Sequence, residues 1–132
     1  MPAVSLTATL VATVLGFALG ALWYGPLFGK RWIAAAGITR EELTDGFNPA
    51  LSYGITFVMG FIAAWVFGLF VGPQPGFRFS VAAGAAIGVC WVTTSLVTND
   101  LFERRNVRLM LINGGYHAVR FTLTGLAFAL LG

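Results

Sequence analysis

The chain has 132 residues, 58% of them hydrophobic and only 10% charged, with a formal net charge of +3. A soluble domain carries about 25% charged residues, so there is too little charge here to coat a water-exposed surface, and room for one domain only. The small positive excess, broken up by long apolar runs, argues against nucleic-acid binding and reads as a topology signal.

The first apolar run covers residues 3–24 and holds no charge. An α-helix needs about 20 apolar residues to cross about 30 Å of hydrocarbon. No basic segment precedes the run, and Lys30 and Arg31 follow it, so it reads as a retained span rather than a cleaved leader. Pro26 is expected to end it, because proline lacks an N–H and disfavours a helical residue before it. Residues 27–37 then make a short amphipathic piece. Phe28, Trp32 and Ile33 lie on one side, Lys30 and Arg31 on the other. With Trp23, Tyr24 and Trp32 bracketing it at headgroup level, an interfacial helix in the membrane plane is expected. Thr39 and Glu42 form a capping-box pattern opening one further turn. Asp45, Gly46, Asn48 and Pro49 mark a loop.

The second span covers residues 49–71 and is again uncharged. Pro73, Gln74, Pro75 and Gly76 predict a tight turn. The third span covers residues 79–98. It contains Cys90, whose reading is a small buried residue: a single cysteine closes no intrachain disulfide, and no metal-ligand spacing exists. Residues 99–107 form a charged connection holding Asp100, Glu103, Arg104 and Arg105. Arg108 leads into the fourth span, residues 109–131. The expected architecture is an all-α membrane protein of four transmembrane helices in one domain, with the interfacial helix after the first span. Lys30, Arg31 and Arg40 lie in one connection, Arg104, Arg105 and Arg108 in another, and only Arg78 in the middle turn. Basic residues favour the cytoplasmic side, which puts both termini outside.

An internal repeat underlies this order. Gly16-x-x-x-Gly20-x-x-Trp23 in the first span matches Gly84-x-x-x-Gly88-x-x-Trp91 in the third. Each is followed by a Leu-Phe-x-basic-Arg segment, at Leu27 and at Leu101. The second and fourth spans match poorly. A duplicated two-helix unit in one orientation implies a pseudo-two-fold axis along the membrane normal. The glycines also predict packing, since small residues let helix backbones approach in lipid. Gly16 with Gly20, Gly84 with Gly88, and Gly60 with Ala64 and Gly68 are three such rows. They exceed what a minimal bundle needs, so a homo-oligomer, a dimer, is expected.

The segments Gly20 to Trp32, Asn99 to Arg105 and Leu111 to Tyr116 resemble a family of small bacterial four-span membrane proteins catalogued only as a domain of unknown function. The resemblance covers nearly the whole chain and rests most on Trp-Tyr-x-Pro and Ile-Asn-x-Gly-Tyr. It implies the four-span fold in a bacterial cytoplasmic membrane, and it supplies no activity.

The fourth span carries the chemistry. Asn113, His117, Arg120 and Thr124 are spaced i, i+4, i+7 and i+11, on one stripe of a helix, with Tyr116 beside them. Val119, Leu123 and Leu126 make the other face apolar. A polar stripe in lipid must meet protein or a water-filled cavity. Arg120 is the midpoint of the run, where a charge costs at least about 2.5 kcal/mol. Its guanidinium either serves carbonyls and hydroxyls of neighbouring helices or binds a small anion or lipid headgroup. His117 is either a hydrogen-bonded interior histidine or a proton relay. A second polar cluster, Thr93, Thr94, Ser95, Thr98, Asn99 and Asp100, closes the third span and reads as helix-end contacts. Phosphate loops, nucleophile elbows and His-Glu-x-x-His are absent, which lowers an enzyme reading and leaves no catalytic residue, cofactor or metal to assign. The leading expectation is a transport- or channel-like protein with a polar site at Arg120. The contender is a non-catalytic scaffold subunit packing on a larger membrane complex, and a weaker third is a membrane enzyme acting on lipid or quinone.

Overall fold

The computed structural model describes residues 3–132, with the backbone alone at Arg40; residues 1 and 2 and the Arg40 side chain, which was counted for topology, lie outside the described residues. All described regular structure is helical. Helix α1 (Leu6–Leu22) runs on into a π-helical turn, Trp23–Leu27. Helix α2 is Gly29–Ala36, α3 is Arg40–Thr44 and α4 is Pro49–Val71. Helix α5 (Phe77–Ala86) passes through a π-helical stretch, Ile87–Thr93, into α6 (Thr94–Phe102), and α7 is Val107–Leu131.

Short polar side chains start these helices, as their local chemistry demands. Ser5 accepts from the Ala8 amide at 3.1 Å, Thr39 from Glu42 at 3.0 Å, Asn48 from Leu51 at 3.1 Å and Asn106 from Arg108 at 2.8 Å. Helix α2 ends on Gly37 at φ 71°, with the Gly37 and Ile38 amides bonded back to Ala34 and Ile33. The same cap ends α6, but with Arg104 in the left-handed position at φ 57°.

Two expected boundaries are corrected. Pro26 does not end the first helix. It sits inside the π turn, where the Phe28 amide reaches five residues back to Trp23 at 2.8 Å, and the widened turn absorbs the missing proline N–H. The third helix does not stop at Thr98 but runs to Phe102, because the polar residues there bond their own helix: Thr94, Ser95 and Thr98 donate to carbonyls one turn back.

Among the described residues three helical stretches are long and apolar enough to cross a membrane: Leu6–Leu27, Pro49–Val71 and Phe77–Phe102. Helix α7, at 25 residues, has the length but carries the polar stripe. The long helices pack in the order α4, α1, α7, α5, with α7 central. Ser5 lies against Leu131, Gly16 against Arg120 and Trp23 against Ile112, so α1 and α7 are antiparallel. The buried core, Ala8, Ala12, Ala64, Phe67, Val71, Ala127 and Phe128, gathers at the end holding the 72–76 turn. Lys30, Arg31 and Arg108 meet at the opposite end.

The duplicated motifs converge on one helix. Gly16 and Gly20 face α7 from one side, Gly84 and Gly88 from the other, and Trp23 and Trp91 each lie in a π-helical segment of their own. A two-fold relation would also require α4 to meet α5 as α7 meets α1. Those two helices barely touch, so the repeat in sequence does not become a two-fold bundle. The three small-residue rows are used within the chain: Gly68 seats Phe128 and Val4, and Gly60 faces Thr13. A dimer would therefore need another surface. Helix α4 offers one, since its buried residues are confined to Ala64, Phe67, Gly68 and Val71.

Candidate anion site on the central helix

Gly16 and Gly20 of α1 leave room for the Arg120 and Tyr116 side chains of α7. The Arg120 methylenes cross Gly16, where an added Cβ would stand 3.1 Å from Cγ and 3.3 Å from Cδ. The head group then points toward α4, with Nη1 3.9 Å from the place of a Gly60 Cβ. Its guanidinium carbon lies 4.3 Å from the Phe121 ring centroid, a cation–π distance. Arg120 makes no side-chain hydrogen bond or ion pair among the described residues, and its Nε is buried without a partner.

Around it lies a cleft between α1, α4 and α7 whose polar lining is Thr13, Thr56, Tyr116 and Thr124. Its free volume of about 20 Å³ holds roughly one water. The cleft is narrow at its packed end and bordered beyond Gly60 by the exposed first half of α4.

The other stripe residues divide. Tyr116 donates its hydroxyl to the Gly16 carbonyl at 2.8 Å and shares the cleft with Arg120. Asn113 accepts from the Tyr24 hydroxyl at 2.7 Å, one step toward the charged end. Thr124 is buried and lines the cleft, but its hydroxyl donates to the Arg120 carbonyl of its own helix at 3.0 Å. His117 is outside the cleft lining. Its ring meets Tyr116 edge-on at 4.9 Å, and its Nδ1 is buried without a partner. The structure thus joins Arg120, Tyr116 and Thr124 at one cleft, and places Asn113 and His117 beside it.

Sequence reasoning missed Trp23 and Tyr24 as site supports. Their place beside Lys30 and Arg31 predicts headgroup anchors. Trp23 Nε1 instead donates to the Ile112 carbonyl at 2.9 Å, and the Tyr24 ring lies tilted against that of Tyr116, 5.4 Å between centroids. The signal was available: an aromatic with a polar tip one turn after Gly20 lies on the same face as that glycine. Thr93 was noticed only as part of a cluster. It donates to Gly114 across the α7 interface at 3.0 Å.

Among the described residues there is no cluster of three or more metal-ligating side chains. The arrangement is that of a helical protein with membrane-length apolar helices and, between α1, α4 and α7, an arginine with no hydrogen-bond or ion-pair partner among the described residues. Residues 7–129 match the family described as "Protein of unknown function (DUF1761)", and the chain belongs to that family. No curated protein and no solved structure matches it.

Proposed function

We propose that the chain is a four-span protein of the bacterial cytoplasmic membrane, with both termini outside, that binds a small anion at Arg120 as part of transport- or channel-like movement. The observation that carries the reading is the unpartnered guanidinium. A charge in hydrocarbon needs a partner. The one carboxylate in the long helices, Asp100, sits in the last turn of Phe77–Phe102, about three turns beyond Gly88, which faces His117, and so not at the level of Arg120. The cleft holds one water, so a larger occupant requires α4 to move, and the buried residues of α4 are confined to its last turns, Ala64 to Val71. The four-span reading is supported by the length of α7 and by the gathering of charged connections at one end.

Reporter fusions after Asp45 and after Gly132 are expected to give opposite sides of the membrane; one shared side removes the four-span reading. The anion is tested on purified protein in neutral detergent at constant ionic strength. Chloride, nitrate, acetate or bicarbonate is expected to raise the melting temperature relative to gluconate. A flat response to all four would sink the proposal. A second reading, a non-catalytic subunit or a homodimer, is supported by the exposed apolar first half of α4, which offers a helix-sized face.

A further inference from the structure

A second polar site lies at the charged end, away from Arg120. The i, i+4 faces of α2 present Lys30 with Ala34 and Arg31 with Ala35 to a hollow of about 670 Å³. The opposite wall comes from α7, where Arg108 and Leu111 lie one turn apart. That volume is within the range of small-molecule sites, about 300–1,000 Å³. The alanines leave the space open, and the three cations border it. None of the three has an ion pair among the described residues, where the one salt bridge joins Arg105 to Glu103 outside the hollow. No carboxylate lines it among the described residues.

We propose that this hollow binds a phosphate-bearing anion, and that its source is the headgroup of an anionic membrane lipid. The apolar wall gives the reason for the lipid. Phe28 at the start of α2 and Leu111 and Ile112 in the first turns of α7 line the hollow beside the cations, so a ligand with a phosphate at one end and an acyl chain at the other meets matching chemistry along its length. The amphipathic α2 places the cations at the level where membrane-length helices end. The inference rests on the membrane reading and is independent of the anion at Arg120, which is about 18 Å further along α7.

The test uses the whole protein in neutral detergent, with binding followed by native mass measurement and thermal shift. The probes are phosphatidylglycerol, phosphatidylcholine and inorganic phosphate. Phosphatidylglycerol is expected to bind, and phosphatidylcholine is not. Inorganic phosphate separates the sources: no effect assigns the lipid, whereas a shift equal to that of phosphatidylglycerol overturns the lipid source. The combined variant Lys30→Gln, Arg31→Gln, Arg108→Gln is expected to weaken phosphatidylglycerol binding roughly 100-fold. All three residues are exposed, so the fold should survive. Ala34→Leu keeps every charge but narrows the hollow between the cations, and should weaken lipid binding. The control variant Arg104→Gln, Arg105→Gln removes charge at the same end but outside the hollow. Equal losses in the control and the triple variant, or full binding by Ala34→Leu, would overturn the proposal. Failure here with opposite-side reporter fusions would leave the membrane reading standing and remove this site alone.

Discussion

Gly84→Ala is expected to lower stability by about 2–3 kcal/mol, more than any other glycine-to-alanine change between packed long helices except its counterpart Gly125→Ala. A Cβ at Gly84 would run into the Phe121 carbonyl oxygen, with the Phe121 carbonyl carbon 3.0 Å away and the Gly125 Cα 3.2 Å away. The reciprocal contact sets Gly125 against Ser80 and Val81 of α5. These neighbours are backbone, so they cannot rotate aside as a side chain can. The helices would have to part, and the Ser80 hydroxyl would lose its 2.6 Å bond to the Gly125 carbonyl. Among the glycines that meet the backbone of another long helix Gly88 is next, with the His117 carbonyl oxygen at 2.8 Å and the Ala118 Cα at 2.9 Å. Gly20 should tolerate alanine better, because its close neighbour is the movable Tyr116 hydroxyl at 3.3 Å. Gly54 meets nothing within 4 Å, and alanine there should be neutral to stabilising by up to about 1 kcal/mol. Thermal unfolding of this series in one detergent checks the order. A Gly84→Ala protein as stable as Gly54→Ala would mean that α5 and α7 do not interlock this way.

Arg120→Ala should leave the protein folded while erasing its response to anions. The guanidinium serves no hydrogen-bond acceptor among the described residues, so its removal strands none. The lost cation–π contact is worth about 1 kcal/mol, and the charge removed from the membrane interior cost at least about 2.5 kcal/mol. The two offset, and stability should change little or rise. Arg120→Lys keeps a point charge without the planar fork, so a reduced anion response should survive. A structural arginine behaves differently: breaking a buried charge set costs about 3–5 kcal/mol, and lysine would not restore its geometry. Melting temperatures of both variants, with and without the active anion, decide the matter. Large destabilisation in both, with no anion effect on the parent, would overturn the assignment.

How much of this was legible in the sequence differs from residue to residue. Helix starts were readable at Thr39 and Pro49, because capping is a local matter between a short side chain and amides two or three residues on. The stripe through Asn113, Arg120 and Thr124 was readable because helical spacing alone places those residues on one side. What Arg120 meets was not readable. That depends on Gly16 and Gly60, more than 50 residues away, leaving a groove of the right depth. Pro26 misled for a related reason: its missing N–H predicts a break, and only the surrounding packing selects a π turn instead. The Gly16 and Gly84 repeat was visible as a pattern. Its meaning, two helices clasping the same third one, required knowing that α4 stays at the edge.

Arg120 stands one residue from the middle of α7, and that position has an electrical consequence. In a four-span arrangement its charge sits about halfway through whatever voltage falls across the bilayer. Moving a unit charge through a full 100 mV drop is worth about 2.3 kcal/mol, so half the drop is worth about 1.2 kcal/mol. A monovalent anion reaching Arg120 from one side would have its occupancy changed roughly sevenfold per 100 mV. Voltage draws it in from the more negative side and holds it off from the other. The cations at the end of the bundle lie outside most of that drop and would be nearly blind to it.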